Sequence, residues 1–147
     1  MERMNTLNQE QQSIMEMVDR EAIRNVVTAY CDAIWRDDIE AVVQLFSPGG
    51  TLEVSNGPLA GRAAPVGHEQ LRNFFTDGTK LMSPRPFNHN HLVELLGRGE
   101  ATGRCYVELR SSIDFGWVAA VIYHDDYIKI GDKWRLKRRR ATLQNVK

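Results

Sequence analysis

The chain has 147 residues, a length that suits one domain with a buried core. With 42% hydrophobic residues, 26% charged residues and a net charge of +0, it has an ordinary globular composition. That balance excludes a general nucleic-acid or membrane-surface footprint. The N-terminus has no apolar leader region and no stretch approaches the ~18 apolar residues of a membrane span, so the cytoplasm is the expected location. The two cysteines, Cys31 and Cys105, lack CxxC or Cys/His spacing. They read as buried free thiols, and no metal is expected.

Residues 1–18 are polar and Gln-rich, with Leu7, Ile14, Met17 and Val18 as contact points. They read as an N-terminal arm or short helix ahead of a single domain over 19–147. From Asp19 to Asp38, the apolar residues Ile23, Val26, Val27, Tyr30, Ala33 and Ile34 recur at helical spacing, which gives a helix one apolar stripe. Asp19 reads as its N-cap, with Glu21 in the first turn. Asp38 reads as the cap of a second short helix, Ile39 to Phe46, stopped by Ser47-Pro48-Gly49-Gly50.

Thr51 to Ser55 reads as a short strand. Leu59 to Gly67 follows as a loop, then His68 to Lys80 as a third helix with Leu71, Phe74 and Phe75 inward. Residues 87–96, 100–113, 117–130 and 133–143 alternate, or are rich in β-branched and aromatic side chains. Short Gly-bearing connections join them, which predicts an antiparallel meander. Helices first and an antiparallel sheet second is an α+β pattern. A twisted sheet that curls round the first helix leaves a cone, and a cone that side chains do not fill is a pocket.

Arg20-Glu21-Ala22-Ile23 leading to Tyr30, then Arg36-Asp37-Asp38, Gly67-His68-Glu69-Gln70-Leu71 and His89-Asn90-His91-Leu92 stand in one order along the chain. Ala101-Thr102-Gly103-Arg104-Cys105-Tyr106, Tyr123-His124-Asp125-Asp126-Tyr127 and Gly131-Asp132-Lys133-Trp134-Arg135 complete the series. Together they resemble the SnoaL-like, nuclear-transport-factor-2-like (NTF2-like) cone fold. The resemblance is to the branch that includes scytalone dehydratase, bile-acid 7α-dehydratase and hexachlorocyclohexane dehydrochlorinase. In its catalytic members the first helix holds a Tyr or Lys and, five residues later, an Asp. That Asp pairs with a strand His to remove a proton. The resemblance places the first position at Tyr30 and the strand His at His91. The Asp position falls on Trp35, an acidic position of the bile-acid enzymes falls near Leu109, and a dehydrochlorinase arginine maps onto Arg139.

Each candidate carries two readings. His91 is a base or ligand contact in the cone, or a core histidine satisfied by backbone. Tyr30 is a donor to a substrate oxygen, or a structural hydrogen bond on the apolar stripe. Trp35 fills the cavity mouth, or stacks on a flat ligand. Tyr123 and Asp125 share a strand face; Tyr123 is a pocket residue, and Asp125 a structural partner of Arg110 or the basic last strand. His89 shares the face of His91 if no bulge intervenes. Arg139 sits inside the cone to attract an anionic or polarised group, or on a solvated basic face with its neighbours. Asp32 lies round the helix from Tyr30 and reads as surface.

The expected function is a cofactor-free lyase, isomerase or cyclase acting on a cyclic or aromatic molecule. His91 would transfer the proton and Tyr30 would polarise an oxygen. The alternative is a non-catalytic ligand-binding or dimeric scaffold protein whose Asp–His pair is lost at Trp35. The expected partners are a small molecule and a second copy joined through the sheet, with no nucleic acid or membrane.

Overall fold

The computed structural model describes the backbone of residues 2–147 and the side chains of residue 3 and residues 8–147. Three helices, α1 (Glu2–Trp35), α2 (Ile39–Gln44) and α3 (Gly67–Met82), accompany five strands: β1 (Phe46–Ser55), β2 (Pro84–Gly97), β3 (Glu100–Ser111), β4 (Trp117–Ile130) and β5 (Lys133–Gln144). The strands form one sheet in the order β1-β5-β4-β3-β2. β2 to β5 are antiparallel neighbours, as the Gly-bearing connections dictate, and β1 adds to β5 in parallel at the edge. The architecture is the α+β cone that the helix-then-meander pattern implies.

α1 lies on the concave face. Ile23, Val26, Val27, Tyr30, Ala33 and Ile34 are all buried, so the stripe read from the spacing is the packed face. The helix begins much earlier than Asp19, which lies in its interior. Asp19 instead accepts a hydrogen bond from the Trp134 indole N–H (2.9 Å) and faces Lys129 (3.3 Å). Residues 2–18 are therefore the first half of α1, and Ile14, Met17 and Val18 on it are exposed. Met1 and the Leu7 side chain lie outside the described residues.

Asp38 does cap α2, accepting from the Ala41 N–H at 3.0 Å. The Ser-Pro-Gly-Gly segment belongs to the start of β1. There the ladder to β5 is interrupted between Phe46 and Thr51. An edge strand tolerates a proline that a central strand would not.

Two bulges set which residues face inward. On β2 the register slips between Asn88 and Asn90, so His89 is an extra residue. On β5 it slips opposite Asp126/Tyr127, at Lys137. A bulge reverses the alternation that follows it and bends the strand. Pro86 therefore faces inward before the first bulge, and His91, Val93 and Leu95 after it, each less exposed than its outward neighbours. On β5 the inward residues are Trp134 and Leu136, then Arg139, Ala141 and Leu143.

Candidate functional site

A cavity of about 80 Å³ opens between α1, α3 and the concave face of the sheet. α1 contributes Tyr30 and Ile34 to its wall, and α3 contributes Phe74, Phe75, Thr79 and Met82. Leu52, Leu109, Val121 and Ala141 come from the strands, and Tyr123 sits beside Tyr30. The described lining is otherwise apolar. Neither of the two histidines on β2 reaches it, nor does any carboxylate, lysine, arginine or cysteine.

Behind the two tyrosines lies a buried polar chain. β4 and β5 place Asp125 directly opposite Arg139, and both side chains are 0% exposed. The Arg139 Nε and Nη2 groups donate to the two oxygens of Asp125 at 2.9 and 3.2 Å. Nη2 also approaches the Cys105 sulfur at 3.5 Å. The guanidinium also lies against two rings, with Cζ 4.2 Å from the Tyr30 centroid and 3.6 Å from that of Tyr123, and its Nη1 is buried without a hydrogen-bond partner. A charge so deeply desolvated persists because an opposite charge and two ring faces replace water. Arg139 is thus separated from the solvated basic residues around it by the inward turn of its strand. Asp125 is its structural partner, on the basic last strand as the sequence suggests.

The chain continues to His91. The Tyr127 hydroxyl donates to Asp125 at 3.0 Å and lies 3.1 Å from His91 Nε2. With the phenol proton committed to Asp125, Nε2 carries the hydrogen of that second bond and Nδ1 is left with a lone pair. Nδ1 is buried without a partner. Gly103 leaves room for this contact: a Cβ there would stand 2.9 Å from Tyr127 Cε2 and 3.2 Å from His91 Nε2. Burial lowers the His91 pKa; Asp125 opposes the shift, and Arg139 and Arg24 add to it. Burial likewise raises Tyr30 and Tyr123, against the pull of Arg139, and pushes the Cys105 thiol up to about 12. Tyr30 and Tyr123 are edge-to-face at 6.0 Å.

The remaining sequence candidates lie elsewhere. Trp35 ends α1 at the rim, where its indole N–H donates to the Pro86 carbonyl at 2.7 Å. Its ring packs edge-on to Phe87 and lies under the Arg85 guanidinium. It does not plug the cavity. Trp35 and His91 do not meet either, because about five residues of strand, roughly 15 Å, separate Pro86 from His91. A carboxylate at position 35 would therefore not reach this histidine. His89 occupies the bulge, is exposed, and pairs with Glu108 at 3.1 Å on the outer face. The bulge is why the two histidines do not share a face. Asp32 is exposed and pairs with Arg36 at 2.9 Å.

Tyr127 and Gly103 were not singled out in the sequence. The signal for Tyr127 was its alternation with Tyr123 and Asp125 along β4.

Among solved structures, an NTF2-like protein with a cystatin-like fold from Novosphingobium aromaticivorans superposes with a TM-score of 0.79 at 20% identity, covering 92% of this chain and 88% of that one. LinA gives 0.76 at 14% identity, with 90% of each chain covered. A candidate scytalone dehydratase of Novosphingobium aromaticivorans DSM 12444 gives 0.73 at 17% identity, covering 92% and 90%. These likenesses establish the fold. No curated protein sequence matches the chain. The profile of the SnoaL-like domain matches residues 15–140, a span that contains the polar chain and all of the sheet but the end of β5, and the chain belongs to that family.

Proposed function

We propose that the protein is a small-ligand-binding member of the SnoaL-like family, holding one small, mainly apolar molecule in the cone against Tyr30 and Tyr123. The observation that supports this reading is the chemistry of the cavity wall. It offers two phenols and a threonine among apolar side chains, with no group of the described lining able to accept a proton near neutral pH. Proton abstraction needs a base within hydrogen-bond reach of the reacting atom. The reading requires no resident metal or cofactor. In it the protein is cytoplasmic and pairs with a second copy through the sheet, whose outer face carries the exposed Leu92 and Leu96.

A second reading keeps the enzyme: a cofactor-free lyase, isomerase or cyclase with His91 as base and Tyr30 as the polarising donor. What favours it is His91 itself, biased toward the neutral form and with Nδ1 unpartnered. It requires substrate to reach the imidazole elsewhere than in this cavity, which His91 does not line.

The two readings separate in heavy water. A panel of small cyclic ketones and hydroxyketones is incubated with the protein in D2O and followed by NMR. The binding reading expects saturation transfer from protein to some compounds, with no deuterium gain at carbon and no loss of water beyond the buffer rate. Protein-dependent exchange that disappears in His91→Ala would establish the enzyme instead.

A further inference from the structure

We infer that Met82 is a movable partition inside a longer binding site. The cavity of the cone continues past it into a cleft at the end of α3, and the ligand is an elongated, mainly apolar molecule, such as a ring bearing an alkyl chain. This rests on the binding reading above and adds to it the length of the ligand and the residue that sets that length.

The two spaces adjoin along the same elements. The cleft holds about 290 Å³ and is lined from α3, β3, β4 and the segment after β5. On β3, Leu109 lines the cavity; Ser111, two residues on and therefore on the same face, lines the cleft. On β4, Val121 lines the cavity. Val118, the extra residue of a bulge opposite Leu109 and Arg110, packs against the core and lines the cleft. Among the described residues, Met82 alone belongs to both walls.

Volume and mobility both point to this side chain. The inner cavity, at about 80 Å³, is well below the ~150 Å³ of an apolar cavity that accepts benzene. Joined to the cleft, it reaches the few hundred Å³ typical of small-molecule sites. Met82 is the last residue of α3 and is half-buried. The backbone beside it is pinned. Ser83, left-handed at φ 44°, donates its N–H to the Thr79 carbonyl at 2.9 Å. Its own carbonyl accepts from the Ser112 N–H at 2.9 Å, and the two serine hydroxyls are hydrogen-bonded. The end of the helix is thus tied to the loop between β3 and β4, and the freedom that remains is in the methionine side chain. That chain is unbranched, with three rotatable bonds, so it can swing aside while the helix stays in place.

The test uses the full chain and two probes that share a ring and a hydroxyl, cyclopentanol and 3-cyclopentyl-1-propanol. Val118→Cys places a thiol in the cleft. The two native thiols are buried, and burial raises their pKa, so they react slowly with N-ethylmaleimide. Affinities come from saturation-transfer NMR titrations, and modification is followed by mass spectrometry. The longer alcohol is expected to bind at least about tenfold more tightly than cyclopentanol, from the burial of three further methylenes. At ~10 times its Kd it should slow modification of the introduced thiol about tenfold, in step with the fraction of protein left free, and cyclopentanol at equal occupancy less than about twofold. Met82→Ile, still apolar but stiff at χ1, should bring the longer alcohol to within about threefold of cyclopentanol. Tight binding of the longer alcohol without protection of the thiol overturns the inference and leaves the binding reading standing. So does equal protection by both alcohols, or a long-to-short ratio that Met82→Ile leaves unchanged. If neither alcohol binds the unaltered protein, the binding reading itself falls, and the inference with it. Should Val118→Cys fail to fold, the ratios in the unaltered protein and in Met82→Ile still decide the matter.

Discussion

Arg139 and Asp125 are the residues on which the interior depends. Removing one partner leaves the other charge unpaired in a dry interior. Asp125→Asn is expected to cost about 3–5 kcal/mol, read as a lower urea midpoint with unchanged slope. His91 gives a pH signature whose sign follows from its surroundings. Its folded pKa lies below the ordinary value of 6.5 because burial disfavours the charged ring. On acidification the unfolded chain takes up the proton first. Stability present above about pH 6.5 is therefore lost as the pH falls through the folded value. The groups around it are Asp125 and Tyr127 on β4, Arg139 on β5, Cys105 opposite on β3 and Arg24 on α1. Urea midpoints of the wild type should decline between about pH 7 and pH 5, and His91→Gln should flatten that part of the slope.

At the scale of elements, periodicity carried far and cross-chain partners did not. The six stripe positions of α1 and the span 117–130 of β4 were legible because the apolar pattern and the Gly-bearing turns mark them directly. The start of α1 was not. Asp19 looks like a cap from its neighbours, but its side chain is taken by Trp134, 115 residues away in sequence. The bulge at His89 was equally hidden, since an extra residue is defined by the partner strand. Residues 8–13 and Ile14, Met15 and Met17 of α1 are exposed, so the triple variant Ile14→Ala/Met15→Ala/Met17→Ala should change unfolding free energy by less than about 1 kcal/mol. Asp19→Ala, which removes the acceptor of the Trp134 indole, should cost about 1–2 kcal/mol in the same measurement. Equal effects of the two changes would contradict this division of the helix.

For the whole molecule, the cone and its pocket were readable from a helix stripe facing a curled sheet. The contents of the pocket were less so. Tyr30 and Tyr123 do stand in the wall. His91 stands on the concave face but beyond the buried ion pair, and Trp35 stands at the rim. Sequence order could not separate these places, because each depends on where two bulged strands and one long helix cross. The resulting molecule has its apolar space at one end, its buried charges in the middle, and its unpartnered imidazole nitrogen on the other side. The binding reading proposed above rests on that layout.

The most direct test is to fill the space. Ala141 lies in the cavity wall and is buried, so Ala141→Leu places an isobutyl group where the ligand would sit. Binding of cyclopentanone is measured by saturation transfer on the wild type and the variant, with circular dichroism confirming the fold. Binding through this cavity predicts a loss of affinity of at least about tenfold in a variant that remains folded. Unchanged affinity in the folded variant would contradict it and place the ligand outside the cone.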